Sequence, residues 1–292
     1  MSHKKTSITV NFIFNAILNT SKFLFPLITY PYVARVLLPE GSGKVSFATS
    51  LIYYFIMFAE LGIPKYGIRK CAMVRENKEE LTRTVHELMM IQAVTTAIAY
   101  IALIGCVFLV PKLAAEKLLY FVISSGLFLH LVGIEWLYKA LEEYQYISVR
   151  SLTFKVLSVA AMFLFVRQRE DYVIYGAITI IASSASYVCN FIRARKIISF
   201  RSVGNYNLRQ HIKPVLVFFA MACAVSIYSH IDTLMLGFLK GDVEVGYYNA
   251  AMKVKTILVS VMTSLSVVLL PRASYYLTKG KMRNSMIFPR NL

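Results

Sequence analysis

The sequence predicts an all-α polytopic membrane protein with about eight transmembrane helices. These form a complete N-terminal six-helix bundle and the first two helices of a second bundle. Three observations predict it. Of 292 residues, 57% are hydrophobic and the mean hydropathy is +0.58, whereas a soluble domain is about 45–50% apolar. Apolar stretches of roughly 20 residues recur, enough to cross a bilayer, and they are too long and continuous for the strands of a barrel. Most of the 32 Lys and Arg lie at the N-terminus, in alternate loops and in the C-terminal tail, the bias of cytoplasmic segments.

The spans fall at about 9–37, 44–64, 86–110, 117–138, 149–166, 172–194, 214–239 and 246–271. In the first, VNFIFNAILNTSKFLFP (Val10–Pro26) carries Asn11, Asn15, Asn19 and Lys22. Those spacings stack the four side chains on one helix face. A lysine at a helix centre costs about 2.5–3.5 kcal/mol on insertion scales, so this face is expected to meet the bundle interior or a watered cavity. The alternative for the asparagines is helix–helix glue, at under about 1 kcal/mol each. Pro26 and Pro31 predict a kink. Arg35 follows near the far end, to contact phosphate or cap the interface.

Glu60 closes span 2 and Glu135 lies near the end of span 4; both read as structural. Lys155, shallow in span 5, is expected to snorkel. The longest loop, RKIISFRSVGNYNLRQHIK, is basic and polar, as a cytoplasmic connector would be. The expected divisions are therefore a bundle over 1–197, a linker over 198–213, two helices of a second bundle over 214–271 and a cytoplasmic tail over 272–292. In span 7, Asp232 stands near His230, either for ion coupling or for an ion pair with Arg35. In span 8, Asn249, Lys253, Thr256 and Ser260 share a face. Lys253 is expected to line the cavity or to snorkel outward.

The loop bias places both termini in the cytoplasm. It also explains the net charge of +17 without a nucleic-acid partner. Cys71, Cys106, Cys189 and Cys223 are far apart and form no CxxC, so no disulfide framework, metal site or cofactor is expected. The histidines are scattered and no HExxH or GxSxG occurs, which argues against an enzyme.

Two segments repeat. ARVLLPEGSGKVSFATSL (Ala34–Leu51) and MLGFLKGDVEVGYYNAAMKV (Met235–Val254) each run from an apolar helix through an acidic, glycine-bearing turn into a second helix. Gly43 aligns with Gly246 and Ala48 with Ala251, 203 residues apart. Parallel repeats of this kind place a substrate site between two halves; a shared turn preference is the alternative.

Four blocks carry a resemblance. NTSKFLFPLITYPYVARVLLPEGSGKVSFA, ELGIPKYGIRKCA, EWLYKALEEYQYISVRS and HIDTLMLGFLKGDVEVGYYNAAMKV resemble the O-antigen flippase (Wzx, polysaccharide biosynthesis) family. That family belongs to the multidrug/oligosaccharidyl-lipid/polysaccharide exporter superfamily. The resemblance runs from Thr6 to Tyr276. It implies two six-helix bundles around a cavity and alternating access. It also implies movement of an undecaprenyl-diphosphate-linked oligosaccharide across the bacterial inner membrane, in company with a polysaccharide polymerase of the same pathway. Lys and Arg would then meet the diphosphate, and amides and hydroxyls the sugars. The family has twelve or more spans and the resemblance stops before KGKMRNSMIFPRNL, so a C-terminally shortened chain is expected. The alternatives are a multidrug exporter of the same superfamily, a membrane-embedded polymerase or transferase, and an inactive truncated flippase.

Overall fold

A computed structural model describes residues 8–256, 258 and 259, without the side chains of Ile8, Thr9, Asn11, Phe12, Asn19, Lys22 and Phe23. It divides into two compact units, Met1–Asn249 and Ala250–Leu292. The described residues form helices and no strand.

Helix α1 covers Ile8–Glu60, 53 residues. A straight helix of that length would run to roughly 80 Å, more than twice the ~30 Å hydrocarbon core. Leu38, at φ 56 and ψ 178, breaks it into two limbs, which are the first two expected spans. The break precedes Pro39, whose ring drives the preceding residue out of the α region. Pro26 and Pro31 both lie inside the helical first limb, and Leu38, the non-helical residue, is the joint between the two expected spans.

After α1 come α2 (Ile63–Val74), α3 (Lys78–Leu109), α4 (Pro111–Ala115) and α5 (Lys117–Gly133). Then follow α6 (Glu135–Ala140), α7 (Tyr144–Phe165), α8 (Tyr172–Ile180), a π-turn (Ile181–Ala185), α9 (Tyr187–Ala194) and α10 (Arg209–Leu239). Asn77 caps α3, accepting from the N–H groups of Glu79 and Glu80 at 3.1 and 3.2 Å. Ile134, with φ 33, separates α5 from α6. The segments Leu24–Val74, Lys78–Leu109, Tyr144–Phe165, Arg169–Ala194 and Arg209–Leu239 are long and apolar enough to cross a membrane, and the shorter Lys117–Gly133 is also apolar. The protein is an all-α polytopic membrane protein. Residues 242–249 close the first unit as helix, and 250–256 are helical in the second. Most of the remainder of the expected eighth span, and the 272–292 tail, lie outside the described residues.

Side-chain bonds set the helix directions. Ser148 Oγ donates to the Phe14 carbonyl, Lys155 Nζ to Ser21 Oγ and Tyr32 OH to the Val166 carbonyl, each at 2.8 Å and each across 134 residues. The first limb of α1 therefore runs parallel to α7. Lys155 sits mid-helix because α7 starts earlier than expected; it spends its ammonium inside the bundle and over the Phe25 ring at 5.7 Å, so it does not snorkel. The second limb runs antiparallel to α10, with Phe47 against Phe238 at 5.1 Å and Tyr54 OH bonded to the Ser226 carbonyl at 3.2 Å. Helices α3 and α5 are antiparallel through Tyr100–Ser124 and Gln92–His130. Gly176 on Leu119 and Gly133 on Tyr187 make α5 parallel to α8–α9. Consecutive crossings of one bilayer require this alternation.

Three buried clusters hold the bundle. One surrounds Ile63, Leu88, Leu137 and Tyr138, another Phe47, Ile52, Leu119 and Ile123, and a third Val33, Leu37, Met162 and Val166. Apolar side chains also face outward: Leu109 is 83% exposed and Phe121 78%. In water such surface would be a liability; in lipid it is the solvated face.

Candidate functional site

Glu60 ends α1 where Leu61 (φ 47) turns the chain into α2. Its Oε1 lies 2.7 Å from His130 Nδ1 on α5. Two cavities, of about 290 and 160 Å³, share Glu60, Pro64, Lys65 and His130 as walls. The larger is also lined by Glu135, Trp136, Lys139 and Tyr187. The smaller reaches Tyr53 on the second limb of α1 and Phe218, Ala222 and Ser226 on α10. An ionisable pair thus stands in a cleft between a helix of the first repeat and a helix of the second. Ionisable groups within membrane bundles are costly and are retained where they line a cavity or pair with one another.

Behind this cleft, Glu135 accepts from Lys139 at 2.7 Å and from the buried Arg150 at 2.9 Å. Arg150 also donates to Asn190 Oδ1 and lies 5.6 Å from the rings of both Tyr146 and Tyr187. Asn190 in turn donates to the Gly133 carbonyl and accepts from Tyr138 OH, both at 2.6 Å. The cluster ties α5, α6, α7 and α9 together.

A second buried network fixes α10. Glu87 and His211 are 1% and 0% exposed. His211 Nε2 lies 2.6 Å from Glu87 Oε2, and its Nδ1 lies 2.8 Å from Tyr66 OH. Glu87 also accepts from the Asn207 N–H at 2.6 Å and from Gln210 Nε2 at 3.1 Å. All of the carboxylate's neighbours are donors, which is what a buried charge requires.

At the opposite end of the bundle the two repeated turns clasp each other. A Cβ on Gly43 would run into the Asp242 carbonyl, and one on Gly246 into the Pro39 carbonyl. Pro39 and Asp242, like Gly43 and Gly246, are equivalent positions of the repeat, so the contact is reciprocal. Leu38 and Gly241, also equivalent, have φ of 56 and 124. Lys112 pairs with Asp242 at 3.0 Å, donates to the Gly237 carbonyl and lies 4.5 Å from the Phe47 ring. Lys44 pairs with Glu116 at 3.0 Å and with Glu40 at 3.2 Å. The repeat read in the sequence therefore has a structural counterpart.

Of the proposed substrate-contact and coupling residues, those described in the first unit are not among the residues lining these two cavities. The side chains of Asn11, Asn19 and Lys22 are outside the described ones. Asn15 is half-buried on the first limb, and Arg35 is exposed. Asp232 is exposed and accepts from Tyr248 OH at 2.7 Å; among the described residues it makes no ion pair with Arg35. Asn249 Nδ2 bonds its own helix, donating to the Val245 carbonyl at 3.0 Å. Lys253, in the second unit, is exposed. The groups the structure does bring together are Glu60 with His130 and Glu87 with His211; the sequence reading took Glu60 as structural and the histidines as scattered, and gave Glu87 no role. Their only sequence signal was an ionisable side chain at the edge of an apolar run.

The family described as "Polysaccharide biosynthesis protein" matches residues 8–277. The chain belongs to that family. Two family relatives are named "Putative O-antigen transporter". The protein of Escherichia coli (strain K12) is 26% identical over 297 residues, covering 100% of this chain and 71% of its own length. The protein of Shigella dysenteriae is 24% identical over 263 residues, covering 87% of this chain and 64% of its own. A solved chain named "protein A" shares the fold with a TM-score of 0.66 at 15% identity, over 94% of this chain and 67% of that one.

Proposed function

We propose that this member of the family carries a lipid-linked oligosaccharide, with an undecaprenyl diphosphate anchor, from one leaflet of the bacterial inner membrane to the other. Transport proceeds by alternating access of two halves, with no bond made or broken. The observation that carries this reading is the ionisable cleft between the second limb of α1 and α10. A saccharide needs hydroxyl-binding groups and aromatic faces, and the two cavities offer Glu60, Glu135, Tyr53, Ser226, Trp136 and Tyr187. The relatives named as O-antigen transporters support the cargo class.

In this reading both termini are cytoplasmic and the clasped turns lie at the periplasmic face. The six-helix division over 1–197 and the two helices over 214–271 are the moving parts. Asn11, Asn15, Asn19, Lys22, Arg35, Asn249 and Lys253 remain proposed contacts for the headgroup, Asp232 a proposed coupling group and the pathway's polymerase a proposed partner. A drug exporter for cations would want unpaired carboxylates. Here Glu60 is paired with His130, and Glu135 with Lys139 and Arg150.

The test is complementation in a strain lacking its own lipid-linked-oligosaccharide flippase. The chain is supplied as it stands and fused to the part of the Escherichia coli relative that it does not span. Restored surface polysaccharide is expected, falling about tenfold or more in Glu60→Gln at equal membrane abundance. No restoration by either form, with both inserted in the membrane, contradicts the reading.

A further inference from the structure

The larger of the two cavities, about 290 Å³, is walled by the end of α1 and by α2, α5, α6 and α9. None of its walls comes from α10, so every one belongs to the first six-helix bundle. Glycines seat its two aromatic walls. A Cβ on Gly67 would run into the Trp136 ring at 2.8 Å, and one on Gly133 into the Tyr187 ring at 2.7 Å. Trp136 Nε1 is buried with no acceptor among the described residues, so packing alone holds the indole. The ionisable walls are Glu60, Lys65, His130, Glu135 and Lys139. Two carboxylates stand with two ammoniums, so with a neutral imidazole these walls carry no net charge. Arg150, behind them, spends its donors on Glu135 and Asn190. Each carboxylate is already held by a partner and, with about four lone-pair sites, can accept more bonds.

We propose that this cavity is a subsite for one uncharged pyranose ring of the lipid-linked oligosaccharide. The inference deepens the proposed function and rests on it. The space equals roughly ten liquid waters at ~30 Å³ each, room for one pyranose ring but not for two linked ones. Glu60 and Glu135 accept from ring hydroxyls in charge-assisted bonds, while Trp136 and Tyr187 supply the apolar walls that a small-ligand site needs. Their own partners keep both carboxylates compensated when the ring displaces water. A diphosphate or a carboxylated sugar would bring charge that these walls do not balance, so the anionic part of the headgroup binds elsewhere. The cavity lies at the end of the bundle opposite the clasped turns, which in the proposed orientation is the cytoplasmic mouth where the headgroup enters.

Trp136 is the chain's one tryptophan, and a ring held by packing alone responds to what fills the space beside it. The experiment reads its fluorescence in the full chain in detergent micelles. The titrants are the methyl glycosides of glucose, galactose and N-acetylglucosamine and, separately, methyl glucuronide and inorganic diphosphate. At least one uncharged glycoside is expected to give a saturable change, with an affinity about tenfold or more above that of either anion. Glu60→Gln should weaken it about tenfold. Ile68→Phe, which fills the cavity, should abolish it, and Val94→Phe, on the exposed face of α3, should leave it within about twofold. Where Ile68→Phe fails to fold, Lys65→Phe at the exposed rim replaces it with the same expectation. The subsite is overturned if no uncharged glycoside gives a saturable change, if either anion binds as tightly, or if the response survives filling of the cavity. If the chain restores surface polysaccharide but no glycoside response appears, the subsite fails and the transport reading stands. If the response appears but the chain restores nothing, the transport reading fails and the subsite stands.

Discussion

His211 and Glu87 form a buried titratable pair whose effect is structural. The imidazole bridges Tyr66 and Glu87 with no access to solvent. Removing one partner of such a buried pair leaves an uncompensated polar group and costs about 3–5 kcal/mol. His211→Ala is therefore expected to lower the thermal unfolding midpoint in detergent sharply, while His211→Gln, which retains a donor, loses less. Sequence did not reveal the pair, because the partners are 124 residues apart and no local periodicity links them. The same holds for Glu60 and His130, 70 residues apart. Conversely, Asn249 looked like part of a polar stripe but spends its amide on its own helix, an outcome that spacing alone does not separate from cavity lining.

Among the elements, the apolar runs were legible and the joints were not. Runs of apolar residues at bilayer length placed the spans. Pro26 and Pro31 sit inside the helical first limb, which membrane helices allow when neighbours satisfy the freed carbonyls. The chain breaks at Leu38, between the first two expected spans, where a proline follows and the acidic-glycine turn begins. A leucine at positive φ is strained and glycine is not. Leu38→Gly is accordingly expected to be neutral or to raise stability by under about 1 kcal/mol, measured as the unfolding midpoint. At the start of α3, Asn77→Ala removes the cap on Glu79 and Glu80 and should cost about 1 kcal/mol. Faster hydrogen exchange confined to the first turn of α3 is the expected signature. Span 5 also began earlier than its hydropathy suggested, because Tyr144, Gln145 and Tyr146 read as polar although they form the first turn of α7. That shift is what carries Lys155 from the edge into the bundle.

Across the whole molecule, the repeat was legible as a weak sequence echo and the structure turns it into a contact. The two turns meet reciprocally, Gly43 on Asp242 and Gly246 on Pro39, at positions where any side chain would collide with backbone. Gly43→Val is expected to separate the turns. A cysteine pair at Phe47 and Phe238, whose rings meet in the parent, should then cross-link more slowly. The helix pairings behind this contact were not readable beforehand, since lipid-facing and partner-facing surfaces are equally apolar in a membrane protein. The central claim is that a saccharide headgroup crosses through the cleft between the second limb of α1 and α10. The most direct measurement is the rate at which a lipid-linked oligosaccharide, loaded on one face of proteoliposomes, becomes accessible to a lectin on the other. The chain should raise that rate about tenfold or more over protein-free vesicles, and Ala222→Trp, which fills the smaller cavity, should return it to baseline. A rate equal to that of empty vesicles, or one untouched by filling the cavity, would contradict the account.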